Sequence, residues 1–255
     1  MTMHARPSRI GAFALALIAA LPLAVRGQDL PPAQEVIDRY VEAIGGRAAA
    51  TAEISTQASG SFEVPAMGLT GTLVTVNAPD GAMAMKVTVP GMGDILSGYT
   101  GEVGWSMDPM TGARLLEGGE LTSMEEQADP RYRVRDAALF QSVETVGENE
   151  FEGDACWEVQ YTWISGRVTN ECFSKDSGLM VASISMQESP MGEVEVVSLM
   201  QNYEQFGDLL YPTLLRQQMM GQEQVMRLTE VRVGDVDLQL LVPPTAIQTL
   251  IDAGG

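Results

Sequence analysis

Histidine is almost missing from these 255 residues: the only one, His4, lies in the first few positions. Histidine titrates near neutrality unaided and is the commonest transition-metal ligand. Its absence beyond His4 excludes serine–histidine and cysteine–histidine catalysis, and most zinc sites with them. Positive charge is also scarce, with 15 Lys and Arg against 34 Asp and Glu and a net charge of −19. Three of the 15, Arg6, Arg9 and Arg26, fall near the N-terminus, so the remainder is more acidic still. Such a surface repels phosphates, which excludes nucleic acid as a partner and disfavours docking on anionic membranes through a basic patch. Beyond the N-terminus no apolar run is long enough to cross a bilayer.

The first residues have the three-part layout of a secretion leader. His4, Arg6 and Arg9 make a basic start, Ile10 to Val25 is apolar, and Val25 and Gly27 supply small side chains before Gln28. Pro22 interrupts the run, which is short for a membrane anchor. Residues 1–27 read as a cleavable signal peptide, with cleavage after Gly27 and Ala24 as the alternative. Residues 28–255 read as one exported, periplasmic domain. No cysteine stands near the junction to carry a lipid.

Cys156 and Cys172 are the only cysteines, and in an oxidising compartment an isolated pair reads as a disulfide. They flank a hairpin expected to turn near Ser165-Gly166 and share a face by parity. Direct opposition would centre the hairpin on Ile164, so a bulge or a diagonal bridge is needed. Neither reads as a nucleophile, because no base is available.

A helix follows Pro31-Pro32, with Val36, Ile37, Tyr40, Val41 and Ile44 at helical spacing and Gly45-Gly46 as its stop. From Ile54 the period becomes two. Short strands separated by glycine and proline turns run to about Met107, and resume from Ser142 to Val233, with a last apolar run near Leu238. Leu121 to Phe140 lacks alternation and carries helix formers, divided by Pro130. The economical architecture is α+β, mainly β: one curved antiparallel sheet of about ten strands with a few helices.

Catalytic patterns are missing. Gly91-Met92-Gly93 does not open a helix, and Asp108-Pro-Met-Thr-Gly112 lacks the alternating acids of a calcium loop and reads as a type I turn. The only lysines are Lys86 and Lys175, and Lys175 sits in a turn. Many acids are present, but no pair stands out for carboxylate chemistry. The reading is a non-enzyme with no catalytic residue, no cofactor and no metal.

Methionine is the excess, 16 residues in all. Thioethers serve copper(I) sites, ordinary core filling and adaptable apolar cavities. Met83 and Met85 share a face with Val87 and Val89, Val103, Trp105 and Met107 share one on their own strand, and Trp157 and Trp163 alternate with polar residues. Met83, Met85, Trp105, Met107, Trp157 and Trp163 are the candidate lining of a lipophilic cavity.

Several blocks resemble the outer-membrane lipoprotein-sorting family of LolA/LolB-like carriers and receptors. They are Val36-Ile-Asp-Arg-Tyr-Val-Glu-Ala-Ile-Gly-Gly46, Gly60-Ser-Phe-Glu-Val-Pro65, Ser97-Gly-Tyr-Thr-Gly-Glu-Val-Gly-Trp105, Cys172-Phe-Ser-Lys-Asp-Ser-Gly-Leu179 and the ending Val231 to Val242 with Pro243-Pro244. The resemblance implies an unclosed β-barrel wrapped around helices, with an apolar cavity that shields lipoprotein acyl chains in the founding carriers. Leu121 to Phe140 would be its lid, neighboured by Arg131, Arg133 and Arg135. The function it implies is a soluble periplasmic carrier for a lipophilic ligand, with lipid or acylated protein and inner- or outer-membrane proteins as partners. The alternative is an envelope interaction or sensing module on the same scaffold, without lipid transfer.

Overall fold

In a computed structural model, residues 1–2, 30–189 and 192–254 are described. Residues 3–27 of the expected leader, with its cleavage site after Gly27, lie outside the described part. The chain opens with helix α1 (Ala33–Ala43) and a short α2 (Arg47–Ala50). Six strands follow: β1 (Thr56–Val64), β2 (Leu69–Asn77), β3 (Met83–Val89), β4 (Gly93–Tyr99), β5 (Gly104–Asp108) and β6 (Gly112–Leu115). Helix α3 (Gly118–Ala128) and two 3-10 turns, Pro130–Val134 and Ala137–Leu139, interrupt the strands. Seven more complete the sheet: β7 (Phe140–Phe151), β8 (Asp154–Trp163), β9 (Val168–Ser174), β10 (Met180–Ser189), β11 (Gly192–Phe206), β12 (Leu209–Met219) and β13 (Gln222–Val233). A 3-10 turn, Leu238–Leu241, and helix α4 (Thr245–Gly254) end the chain.

All thirteen strands form one antiparallel sheet, in the order β6-β5-β4-β3-β2-β1-β13-β12-β11-β10-β9-β8-β7. Every neighbour but β1–β13 is a hairpin partner, and β1–β13 joins the two halves. The expected count of about ten is therefore low. The four-residue β6 is too short to display a period. The run near Leu238 is not a strand: the chain leaves the sheet after Val233, and Leu238–Leu241 makes a 3-10 turn.

The curvature of the sheet follows from one contact. Strands β4 and β10 are seven steps apart, about 34 Å in a flat sheet. Helix α3, 11 residues and about 16 Å long, nevertheless touches β4, β5 and β10. The sheet must curl around α3. Pairing registers trace the inner face across it, through Val159, Glu171, Ser183, Ser198, Gln217 and Gln224 on successive strands. A second rung runs Met200, Leu215, Met226, Phe62.

Helix α1 plugs one end of the inner face. Its stripe of Val36, Ile37, Tyr40 and Val41 buries against Val159, Tyr161, Trp163 and Phe173, each large side chain contributing about 1.5–3 kcal/mol. The helix stops at Gly45 and Gly46, both in positive-φ backbone that favours glycine. A second inner cluster, Phe62, Val64, Leu73, Val87 and Val89, fills the middle of the sheet. Helix α4 covers the outer face instead, where Ile247 packs on Ala84 and Trp105. Gly98 permits this: a Cβ there would stand 2.5 Å from the Trp105 ring.

The disulfide between Cys156 and Cys172 is present, with Cα atoms 5.5 Å apart. Cys156 pairs with Ser174 and Cys172 with Glu158, so the bridge is diagonal. It lies on the outer face with Ala182 and Leu199.

Candidate functional site

Helix α3 is the strap that holds the curled sheet together. At its N-terminal end Glu120 receives two hydrogen bonds from Arg114 of the edge strand β6, at 2.6 and 2.8 Å. Two turns on, Glu126 accepts from Arg167 Nε at 2.6 Å and from the Ser165 hydroxyl at 2.5 Å, both in the β8–β9 turn. The Arg167–Glu126 pair is largely shielded, with side chains 16 % and 12 % exposed. Burial of that order gives an ion pair more weight than a surface pair, which contributes at most about 1 kcal/mol. Beyond α3, Asp129 caps the 3-10 turn by accepting from the Arg131 backbone and side chain. The Arg131 side-chain hydrogen bond, foremost, holds the Asp129 carboxyl below the usual carboxylate range. Its folded pKa is thus below its unfolded one, so this anchorage is complete above about pH 4 and fades as pH falls through the lower, folded value.

Two hollows lie beside the C-terminal end of the strap, which contributes Gln127 to both and Ala128 to one. One, of about 320 Å³, is bordered by Ile54, Pro79, Ala82, Met83, Pro130 and Arg133. The other, of about 270 Å³, has a floor of inner-face residues: Ser183, Ser185, Ser198, Met200, Leu215 and Met226. Each is roughly twice the ~150 Å³ apolar cavity that holds benzene. Gln127, Tyr132, Arg135 and Met180 line both and form the partition between them. Thioethers meet hydroxyls and amides along this surface, which suits an apolar chain carrying a few hydrogen-bonding atoms.

The partition rests on a buried ion pair. Arg135 donates from Nε and Nη2 to Glu171 at 2.9 and 2.8 Å, and the two side chains are 4 % and 0 % exposed. The guanidinium stacks between the rings of Tyr40 and Tyr132, 4.6 Å from each centroid. Its remaining N–H groups reach the carbonyls of Tyr132 and Arg133 and the Tyr40 hydroxyl. Tyr132 donates to Glu171 at 2.5 Å. The Tyr161 hydroxyl approaches the same carboxylate without closing a sound hydrogen bond. Burial first, then the charge of Glu171, pushes both phenols well above their ordinary range. Both are neutral across the physiological range, and Tyr132 is the donor. Arg135 holds φ 48, a left-handed conformation that costs a non-glycine residue of order 1–3 kcal/mol. The surrounding contacts impose it.

The six residues expected to line one cavity are distributed. Met83 borders the 320 Å³ hollow, and Met85 packs on the inner cluster around Leu73. Trp163 lies under the Pro130–Val134 turn, its ring 5.1 Å from that of Tyr132, and donates to Thr169 at 2.9 Å. Trp157 lies beside α1, with the Lys175 ammonium 3.9 Å above its ring. Trp105 and Met107 are on the outer face near α4. Beside Met83 and Arg135, residues not singled out from sequence form the hollows: Glu171, the serines of β10 and β11, and Met180, Met200 and Met226. Glu171 was recoverable. It occupies the same strand face as Thr169 and Phe173, so a core position for Phe173 buries a carboxylate that needs a cation. Among Arg131, Arg133 and Arg135 no period selects the partner, because the segment is a 3-10 turn and not a strand.

No helix among the described residues is long and apolar enough to cross a membrane. No family model matches the chain, and no curated relative matches its sequence. Among solved structures it is similar to a LolA superfamily protein from Nitrosomonas europaea, with a TM-score of 0.53 at 10 % identity, over 84 % of this chain and 98 % of that one. It is also similar to a DUF1329 family protein from Desulfovibrio piger ATCC 29098, with a TM-score of 0.52 at 14 % identity, over 82 % and 97 %. At these identities the likeness is one of fold, and fold alone does not carry function. The chain has a LolA/LolB-like fold: an unclosed antiparallel half-barrel with helices packed against its sheet.

Proposed function

We propose that this chain is an exported, periplasmic carrier that shelters a lipophilic ligand between the curled sheet and the strap. The observation that carries the proposal is α3 itself, an 11-residue helix tied by ion pairs to strand β6 and to the β8–β9 turn, with two hollows beside its C-terminal end. Releasing the Glu126–Arg167 tie frees one end of the strap without disturbing the strands, which gives a route for reversible burial. The mixed lining favours an amphiphile, with thioethers against methylenes and serines against ester or amide oxygens. Acyl groups of a lipoprotein meet that description, each buried methylene being worth about 0.8 kcal/mol. No nucleophile–base pair is needed, and the role proposed is not enzymatic.

The test is to purify the protein from its native host, extract it and identify co-purifying molecules by mass spectrometry. A stoichiometric acylated lipid or peptide supports the proposal; none, with no uptake of fluorescent fatty acid, contradicts it. Glu126→Gln is expected to raise the release rate of bound fatty acid several-fold, read by stopped-flow, with the sheet still folded by circular dichroism. An unchanged release rate would mean that α3 is not the gate.

A second reading has one observation in its favour. The middle of the inner face is already filled by Phe62, Leu73 and Val87, which are 9, 1 and 3 % exposed. A scaffold so packed also serves as an envelope docking module for a protein partner. Crosslinking in cells that captures one stoichiometric protein, with no lipid in the extract, would decide for it.

A further inference from the structure

The two ends of the sheet differ in chemistry. At one end the hairpin turns β2–β3, β4–β5, β7–β8, β9–β10 and β11–β12 each carry an acid: Asp80, Glu102, Glu152, Asp176 and Asp208. At the other end the turns among the described residues carry methionine or isoleucine. They are Pro65-Ala66-Met67-Gly68 between β1 and β2, Pro90-Gly91-Met92 between β3 and β4, Pro109-Met110-Thr111 between β5 and β6, Ile164-Ser165-Gly166 between β8 and β9, and Met220-Gly221 between β12 and β13. None of these stretches contains a charged residue, in a chain of net charge −19. Met67, Met110, Ile164 and Met220 are 63, 85, 65 and 57 % exposed.

Three of the charges near these tips, Asp108, Asp94 and Arg167, are engaged. Asp108 accepts from the backbones of Met110 and Thr111 and from the Thr111 hydroxyl. Asp94 is paired with Lys86 at 2.7 Å, and Arg167 with Glu126. Each hairpin occupies two adjacent places in the sheet, so tips recur about every 10 Å along its curved end. They project singly: a Cβ added at Gly68, Gly91, Gly112, Gly166 or Gly221 would meet nothing within 4 Å.

We propose that this end docks on an electrically neutral phospholipid surface, with the methionine tips inserted among the headgroups and upper acyl chains. Met220 borders a hollow with Glu195, Gln218 and Glu223, but Met67, Met110 and Ile164 are separated, exposed apolar points. They suit a fluid surface that closes around each point. The acidic chain and its acidic opposite end are repelled by anionic lipid, which selects zwitterionic headgroups and holds the molecule end-on. Docking of this kind requires nothing in the hollows and stands apart from the carrier proposal.

The experiment uses flotation of the ligand-free protein with phosphatidylcholine vesicles. The triple variant Met67→Ser, Met110→Ser, Met220→Ser is expected to bind at least tenfold more weakly. The opposite-end control Asp80→Ser, Glu102→Ser, Asp208→Ser is expected to bind undiminished. Since all six positions are in turns, circular dichroism should report an unchanged fold. Vesicle-bound protein should also resist peroxide oxidation at Met67, Met110 and Met220, read residue by residue, because sulfoxide formation requires access. The proposal is overturned if wild-type protein does not float, if both triples bind equally, or if binding needs anionic lipid. Protection of the tips by raised protein concentration without vesicles would assign this end to a second copy and overturn it too.

Discussion

Replacing Arg135 with methionine is expected to destabilise the fold by about 3–5 kcal/mol, the cost of leaving a buried carboxylate without its cation. Glu171 is fully buried, and Arg135 supplies two of its hydrogen bonds. Tyr132 would remain as one neutral donor to it. The loss should appear as a lower urea midpoint with little change in slope. Glu171→Gln alone should be similarly damaging, since it strands a guanidinium that two phenol rings, the Tyr40 hydroxyl, two carbonyls and the Met180 sulfur otherwise hold without a counter-charge. The double replacement Arg135→Met, Glu171→Leu is expected to recover most of the stability, because replacing both partners of a buried pair is often close to neutral. Two single variants as stable as wild type would mean that the pair is hydrated. The partition between the hollows would then have no fixed post.

Removing the disulfide is expected to have the next largest effect. Cys156 and Cys172 are 16 residues apart, and closing a loop of that size removes about 3 kcal/mol of unfolded-chain entropy. For a chain of this length, that is a fall in melting temperature on the order of 10 °C. Both sulfurs are buried, 0 and 2 % exposed by residue, so reductant should act slowly on the native protein. Cys156→Ala, Cys172→Ala, compared by calorimetry with the oxidised parent, measures the difference. The loss should leave ligand uptake intact, since the bridge lies on the outer face, away from the hollows.

Much of the fold was legible because β-structure writes itself in alternation and turn residues. The stripe from Val36 to Val41, the face shared by Met83 and Met85, and Pro130 as a divider all correspond to observed elements. The cysteine register gave a diagonal bridge as one of two solutions, and that one is present. The site was less legible. Alternation says which side chains share a face but not which face is concave. Trp105 and Trp157 look equivalent in sequence, yet one packs near α4 on the outer face and the other beside α1 on the inner. Concavity is decided by α3 reaching from β4 to β10, a contact between residues distant in sequence that no local pattern encodes. The hollow's serines were passed over because an isolated serine in a strand reads as solvent-facing.

The central claim is that the space beside α3 receives an apolar chain, and filling that space tests it most directly. Ser198 lies on the inner floor of the 270 Å³ hollow, so Ser198→Trp would occupy it from within. Equilibrium titration of both proteins with a fluorescent fatty acid is the measurement. The account predicts saturable one-site binding to wild type and at least a tenfold weaker Kd for the variant. Equal affinity of the two proteins for the probe would place the ligand elsewhere and contradict it.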